Sequence, residues 1–273
     1  LDKYGADAAR QWAAGGGTTG SDIPFRWPDV EYGWRFLIKL WNASRFVSSL
    51  LTDFNVDDKS EHVLQPLDRW ILSKCEKLTG NVTEAIERCQ FNLAMEELRN
   101  FIWRTFCDCY LEAVKDRLYN PEVHGQEKRK AAQYTLYVVL ERVLKLLAPI
   151  IPHITEEIYD TMYADEKNPK SIHVSAWPTP DLKRTSEEAE KQGDLVMAII
   201  TEVRREKAEK HLPLNTKIAK LTIYAGDKAA AEMISQGKED IEGTCKITDI
   251  LVLPEKGNGR EIKPYGVCFT AEY

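Results

Sequence analysis

The chain has 273 residues, of which 43% are hydrophobic and 29% are charged, and its formal net charge is -6 at pH 7. This is an ordinary globular composition with ample apolar material for a core, and the length predicts roughly two domains. An acidic net charge excludes a protein coated uniformly in positive charge, so any contact with nucleic acid has to come from a local basic patch. The 6 cysteines include no paired CxxC motif, and we expect reduced thiols and no metal site.

The longest apolar run, at 134–154, is interrupted by Glu141, Arg142 and Lys145. It therefore falls short of the roughly 20 apolar residues that a membrane-spanning helix needs. Residue 1 is Leu, and the sequence begins as if inside an element of secondary structure. We therefore expect this chain to be a fragment of a longer protein.

Residues 1–14 are predicted to form a helix, and a loop rich in turn-forming residues follows. Positions 15–20 satisfy the letters GxGxxG. The dinucleotide-binding motif needs a strand before its glycines and a helix after them, whereas here a helical pattern precedes and Pro24 follows. We therefore interpret the match as accidental.

Four long helical segments come next, and each of them has one apolar side. Their predicted bounds are 29–51, 66–89, 92–119 and 127–163. Asp29 is the predicted N-cap of the first, and Pro66 suits the first turn of the second. Pro149 and Pro152 force a bend or a restart in the fourth. Helices of this length with short polar connections bury their apolar sides most simply in an antiparallel bundle.

The last part of the chain has the pattern of a small α/β unit. Residues 171–180 are extended and limited by prolines, and a helix is predicted over 186–211. A strand, a short helix with Asp227 as its N-cap, and two further strands complete the prediction. The charged end of the long helix, at 202–211, is interpreted as solvated surface. We therefore expect a mainly α fold, with a helical bundle over 28–180 followed by a small α/β C-terminal domain over 181–273.

The first long helix has an unusual polar side. At about 100° per residue, its apolar side gathers Val30, Trp34, Leu37, Leu40, Trp41, Val47 and Leu51. Arg35, Lys39, Asn42 and Phe46 are spaced 4, 3 and 4 apart, so they form a stripe about 60° wide on the other side. Arg45 lies about 80° to one side of Arg35.

An aromatic ring among cations and an amide has the composition of a site for an unpaired RNA base, which offers a face for stacking and edges for hydrogen bonds. The alternative is that Phe46 packs against a neighbouring helix while the basic residues are merely solvated. Spacing alone favours this second interpretation.

No set of catalytic groups converges in the sequence. The histidines are scattered, and none lies beside a serine or cysteine in a nucleophile motif. Carboxylate pairs such as Glu96 and Glu97 are adjacent in sequence, so they diverge on a helix. We expect no catalytic residue here and no enzyme activity from the chain by itself.

Several linked stretches resemble the C-terminal half of valyl-tRNA synthetases. These are KYGADAAR at 3–10, GSDIPF at 20–25 and KLWNASRFV at 39–47. Four further stretches resemble the anticodon-binding region of that family, namely DRWILSK at 68–74, FCDCYLE at 106–112, LLAPIIPHITEEIY at 146–159 and SIHVSAWP at 171–178. The resemblance is strong over about 1–180 and weak over the rest. It implies that residues 1–27 end the stem-contact segment that follows the catalytic domain.

The resemblance also implies what the whole enzyme does. It would attach valine to its tRNA using ATP with Mg, as a cytoplasmic and monomeric enzyme that binds neither DNA nor a membrane. The HIGH and KMSKS motifs of the catalytic domain do not occur in these 273 residues, so the chain itself is expected to use no cofactor. Cys109 departs from the family pattern, which commonly has an aromatic residue there. The stretch KDRLY at 115–119 would also suit an isoleucine enzyme.

Carried over by position, the anticodon-reading residues of the family are Lys39, Arg45 and Phe46, which coincide in part with the polar stripe. The candidate tRNA-binding residues are therefore Arg35, Lys39, Asn42, Arg45 and Phe46. Two alternatives stay open: the same region of an isoleucyl-tRNA synthetase, and a structural or protein-interaction helical module without RNA contact. For the charged helix end at 202–211, the alternative to solvated surface is a supporting contact with the tRNA elbow or stem.

Overall fold

The computed structural model describes residues 3–18, 20, 22, 24–55, 63–165 and 168–273. Helices dominate, and a four-stranded mixed sheet forms near the C-terminus, which confirms the predicted fold class. No helix within these residues combines the length and the hydropathy that crossing a bilayer requires. No disulfide joins the six cysteines, all of which lie in the described part of the chain.

The helices account for most of the described residues. The α-helices are α1 (Gly5–Gly15), α2 (Trp27–Leu50), α3 (Pro66–Glu87), α4 (Phe91–Asn100), α5 (Lys115–Tyr119), α6 (Pro121–His124), α7 (Gln126–Leu147), α8 (Pro152–Met162), α9 (Glu187–Glu209), α10 (Lys228–Gln236) and α11 (Lys238–Cys245). A π-helix spans Phe101–Leu111, and a short 3₁₀ helix spans Ile172–Val174. Leu1 and Asp2 of the first predicted helix, and Thr19, Ser21 and Ile23 of the loop after it, lie outside the described residues.

Two predicted helices differ in detail from the structure. The prediction of Asp29 as N-cap is wrong, because α2 begins at Trp27 with Arg26 as its N-cap and Asp29 lies in the first turn. Pro28 is tolerated in that turn since its missing N–H has no intrahelical partner to lose.

The third predicted helix, 92–119, is divided into α4, the π-helix and α5. Apolar residues spaced by four, as Leu98, Ile102 and Phe106 are, fit either winding, so periodicity could not separate them.

The chain divides into two compact units, and the first comprises Leu1–Lys59, Lys74–Asp108 and Gln133–Thr185. Within it, α7 ends at Leu147 and α8 begins at Pro152, so the predicted restart in the fourth helix is confirmed. The Asp7 carboxylate accepts hydrogen bonds from the backbone N–H groups of His153 (3.4 Å) and Ile154 (2.8 Å). These are orphan donors of the first turn of α8, so Asp7 on α1 caps a helix that is distant in sequence.

Arg10 binds the same junction from the next turn of α1. Its Nε donates to the carbonyl of Ile150 (2.8 Å) and its Nη2 to the carbonyl of Pro149 (3.0 Å). These carbonyls are left without helical partners where α7 stops. The stretches KYGADAAR and LLAPIIPHITEEIY are therefore joined by side chain to backbone hydrogen bonds, which holds α1 against the start of α8.

The second unit comprises Ser60–Ser73, Cys109–Ala132 and Ser186–Tyr273. Its sheet has the strand order β2-β1-β4-β3, with β1 and β2 parallel and the other pairs antiparallel. The strands are β1 (Ile218–Tyr224), β2 (Ile247–Leu253), β3 (Arg260–Ile262) and β4 (Val267–Glu272). The three predicted strands are confirmed, whereas β3 and α11 were not predicted because both are short and polar. Asp227 caps α10 as predicted and accepts from the N–H of Ala230 at 2.8 Å.

A glycine permits a close approach inside this unit. A Cβ placed on Gly193 of α9 would lie 2.2 Å from Cγ of Trp70, so only a residue without a side chain fits there. The indole Nε1 of Trp70 donates to Asp194 Oδ1 at 2.8 Å, which fixes the ring against α9. The DRWILSK stretch thus supplies a packing residue of the unit.

Lys207 corrects the interpretation of 202–211 as solvated surface. Its side chain is buried, and its Nζ donates to the carbonyls of Leu214 (3.1 Å), Thr216 (2.6 Å) and Cys245 (2.6 Å). An ammonium has three donors, and all three are used. Burial lowers the pKa of Lys207.

The domain boundaries proposed at 27/28 and 180/181 stay predictions.

Candidate nucleic-acid interface

α2 buries one side and exposes the other. Its buried residues are Val30, Gly33, Phe36, Leu37, Leu40, Ala43, Ser44, Val47 and Leu50. Trp34 and Trp41, predicted on the apolar side, are 38% and 37% exposed, so that prediction is wrong for both. The buried side centres on Phe36, which the prediction left out, and the tryptophans lie more than about 100° around the helix from it.

All five candidate residues lie on α2, but the structure does not expose them equally. Arg35, Asn42 and Arg45 are exposed, whereas Lys39 and Phe46 are half-buried. The ring of Phe46 is therefore neither sealed beneath other segments nor fully open. Its role in binding a base stays a prediction.

Lys39 is engaged within the protein. Its Nζ lies 2.6 Å from Asp108 Oδ1 and 4.5 Å from the centre of the Trp103 ring. The Trp103 ring in turn stacks on Tyr32, with ring centres 6.3 Å apart and planes inclined by 8°. The fold thus brings to Lys39 a carboxylate and an aromatic ring that are far from it in sequence, and both hold its ammonium in place.

Arg35 has a weaker partner. Its Nη2 lies 2.6 Å from Oε1 of Glu31, one turn earlier on α2, and both side chains are exposed. Exposed pairs of this kind contribute little because water screens them. A phosphate could therefore replace Glu31 as the partner of Arg35 at small cost.

Arg45 lies beside a groove formed by α2 and α8, which we call the α2–α8 groove. It has a volume of about 380 Å³ and is lined by Trp41, Ser44, Arg45, Ser48, Ser49, Thr52, Ile158, Thr161 and Met162. No ion pair engages Arg45 among the residues that the structure describes. Arg45 therefore differs from Arg35 and Lys39, each of which faces a carboxylate.

Sequence reasoning missed a second cation beside the aromatic pair. The guanidinium carbon of Arg99 lies 5.3 Å from the centre of the Tyr32 ring, on the same ring that stacks on Trp103. Burial lowers the pKa of Arg99, whose side chain is half-buried. Arg99 and Trp103 are four residues apart, the spacing that places two side chains on one helical face, and this signal could have identified the pair.

The side chains exposed along α2 are suited to binding. In the described part of the chain, no group of three or more His, Cys, Asp or Glu side chains is placed to hold a metal ion. What α2 does offer is exposed cations, an amide and aromatic rings on one element. These are the groups with which proteins bind single-stranded RNA.

Residues 68–223 match the family described as the anticodon-binding domain of tRNA ligase, and they make up more than half of the chain. The chain belongs to this family. Both α1 and α2 precede the matched residues. The family match therefore covers α8, which packs against α2, and part of the α/β region, but neither α1 nor α2.

Similar proteins extend the likeness to nearly the whole chain. Valine–tRNA ligase of Methanothermobacter thermautotrophicus is 45% identical over 94% of this chain, and that of Pyrococcus horikoshii is 42% identical over 90%. The Pyrococcus furiosus valine–tRNA ligase is 40% identical over 97%. This anticodon-binding family member spans only 28%, 27% and 29% of those proteins, respectively.

A solved structure supports the fold. The LeuRS chain in a ternary LeuRS–tRNA–LeuAMS complex from Agrobacterium radiobacter K84 has a TM-score of 0.50 and is 20% identical in sequence. The likeness covers 68% of this chain and 21% of that one. At this identity the comparison shows a shared fold alone.

Proposed function

We propose that the chain is the tRNA-binding part of a valine–tRNA ligase and that the exposed side of α2 contacts the anticodon loop. The observation that carries the proposal is the match of residues 68–223 to the anticodon-binding domain of tRNA ligases. The cations and aromatic rings of α2 support it, because they are exposed or half-exposed along one helix.

Each candidate residue has a role in this proposal. Phe46 stacks on an unpaired base. Because its ring is half-buried, the protein already restricts its rotamers, so binding removes less side-chain freedom. Lys39 and Arg45 contact base edges or phosphates, Arg35 contacts a phosphate, and Asn42 hydrogen-bonds a base edge. Phosphate contacts then supply affinity, and base contacts supply specificity.

The activity of the longer protein belongs to the same proposal. It attaches valine to tRNA at the expense of ATP, with Mg, in a catalytic domain that carries the HIGH and KMSKS motifs missing from this sequence. The chain described above contributes no cofactor site and no catalytic residue. We place the enzyme in the cytoplasm, as a monomer that binds neither DNA nor a membrane.

Valine is favoured over isoleucine because the similar proteins are named valine–tRNA ligases. Valine anticodons share their second and third bases, so a site that reads those two bases and ignores the first suffices. The measurement is a competition between valine and isoleucine tRNAs for the chain at one salt concentration. Equal competition would contradict valine specificity.

The direct test of the site is Phe46→Ala, with fluorescent valine tRNA titrated at fixed salt. Losing one stacked base is expected to cost about 1–3 kcal/mol of binding free energy. Phe91→Ala is the control, since Phe91 is an exposed phenylalanine of the same unit on α4. A change below about 0.5 kcal/mol for Phe46→Ala would remove the stacking role.

Salt dependence separates RNA binding from a structural or protein-interaction role. Neutralised phosphates release counterions, so tRNA affinity has to fall as salt rises. The chain should bind tRNA at low salt, and the logarithm of its binding constant should fall linearly with the logarithm of the salt concentration. Absence of binding at low salt, or binding that salt does not weaken, would leave the structural module as the better interpretation.

A further inference from the structure

The α2–α8 groove has an apolar floor and an aromatic wall. Ile158 is 3% exposed, Met162 lies beside it on α8, and the indole of Trp41 stands at the opposite side with 37% of its surface exposed. A volume of about 380 Å³ lies within the range of sites that hold small ligands. An exposed indole beside such a cavity offers a flat face on which another ring can stack.

The rim of the groove is polar. Ser48 and Thr52 have hydroxyl groups that no described residue engages in a hydrogen bond. The hydroxyls of Ser44, Ser49 and Thr161 already donate to backbone carbonyls, so they can only accept. The groove therefore presents both donors and acceptors around a ring-sized apolar space, which is the pattern that a nucleobase satisfies and an aliphatic side chain does not.

Arg45 sets the charge at this rim. No carboxylate lies in the lining of the groove, and Arg45 is not paired among the described residues. An unpaired cation beside an aromatic wall complements a ligand that carries a negative charge next to a flat ring. A nucleotide has both parts joined, with the phosphate at a short distance from the base.

We propose that the α2–α8 groove is a second base site, in which an unpaired nucleobase of the bound tRNA stacks on Trp41 while its phosphate meets Arg45. The inference rests on the proposed function. Trp41 and Phe46 are five residues apart and thus about 140° apart around α2, so one base cannot stack on both rings. The two sites hold two different bases.

The test compares Trp41→Ala with Trp34→Ala in the tRNA titration. Trp34 lies on the same helix with nearly the same exposure, 38% against 37%, but does not line the groove. Trp41→Ala is expected to weaken binding by about 5- to 150-fold, whereas Trp34→Ala should change it by less than about twofold. Equal effects of the two variants would overturn the inference.

Ser48→Phe fills the groove without removing Trp41, and it keeps the test valid should Trp41→Ala fail to fold. It is expected to weaken tRNA binding while the circular dichroism spectrum stays that of the wild type. If the wild-type chain binds tRNA and Ser48→Phe binds equally well, the groove holds no base. If the wild type does not bind at all, the proposed function itself fails.

A positional readout distinguishes the two sites. Anticodon hairpins that carry 2-aminopurine at each unpaired position in turn report stacking through loss of fluorescence. Trp41→Ala should restore fluorescence at one position and Phe46→Ala at another. Restoration at the same position by both variants would overturn the second site. A change in self-association of Trp41→Ala without a change at any position would make the groove a protein-docking face and would also overturn the inference.

Discussion

Arg117 and Asp68 form a buried bidentate pair, with Nη1 3.0 Å from Oδ2 and Nη2 2.8 Å from Oδ1. The side chains are 1% and 0% exposed. Arg117 Nε lies 2.9 Å from Asp240 Oδ1, and the Tyr110 hydroxyl donates to Asp68 Oδ1 at 2.7 Å. A single guanidinium therefore joins the start of α3, α5 and α11 within the second unit. The stretches DRWILSK and KDRLY each supply one half of the bidentate pair.

Arg117→Met is expected to destabilise the protein by about 3–5 kcal/mol, because it leaves two buried carboxylates without their cation. The measurement is urea unfolding followed by circular dichroism. Arg205→Met is the matched control, since Arg205 is 64% exposed and pairs with carboxylates at the surface. The control should lower the free energy of unfolding by less than about 0.5 kcal/mol. Similar unfolding midpoints for the two variants would show that the buried pair is not a stabilising contact.

Asp240 gives a pH dependence with a defined sign. Burial raises the pKa of Asp240 to about 6, and the neighbouring Arg117 offsets this only in part. The folded state therefore holds a proton that the unfolded state has lost, in the window between the ordinary carboxyl pKa of 3.8 and about 6. This contribution to stability is present below pH 3.8 and disappears as the pH rises through about 6.

Asp240→Asn should remove that part of the pH dependence. The variant should gain stability relative to the wild type as the pH is raised from 4 to 7, measured as urea midpoints at several pH values. Glu239→Gln is the control on the same helix, because Glu239 is 48% exposed and pairs with Lys128 at the surface. If plots of the urea midpoint against pH for the wild type and for Asp240→Asn stay parallel over this window, Asp240 is not the source of the pH dependence.

Lys207→Met tests the three carbonyls gathered around the buried ammonium. Each unpaired buried acceptor costs about 1–3 kcal/mol, and structural relaxation around the substitution recovers part of this cost. We therefore expect the free energy of unfolding to fall by about 3 kcal/mol. Lys210→Met is the control, since Lys210 is 48% exposed and pairs with Glu206 one turn away. Amide hydrogen exchange should also become faster in the segment 212–217. A loss no larger than that of Lys210→Met would mean that water replaces the ammonium.

Asp108→Asn tests whether the contact with Lys39 restrains RNA binding. Without the carboxylate, the ammonium 2.6 Å away has no anionic partner and becomes available to a phosphate. We expect severalfold tighter tRNA binding at low salt and a logarithmic salt slope that is steeper by about one. Glu87→Gln removes one exposed acidic charge of the same unit elsewhere and is the control. Weaker binding by Asp108→Asn would show that the pair positions Lys39 instead.

The local features of the fold were predictable because short-range rules determine them. Pro152 restarts the interrupted helix, Asp227 caps α10, and the alternation at Ile218–Tyr224 forms a strand. The π-helical winding was not predictable, since apolar residues spaced by four fit both windings. The exposure of Trp34 and Trp41 was also not predictable, because the pattern of α2 alone does not show which part of a broad apolar face its neighbours cover.

The sequence by itself determined the class of fold and the family, and it placed Arg35, Lys39, Asn42, Arg45 and Phe46 on one helix. Those conclusions rest on periodicity, capping and linked motifs, which act over a few residues. Only the tertiary structure decided that Lys39 faces Asp108, that Arg45 borders a groove, and that Arg117 binds Asp68. These pairings join residues distant in sequence, and the packing of whole helices determines which side chains meet.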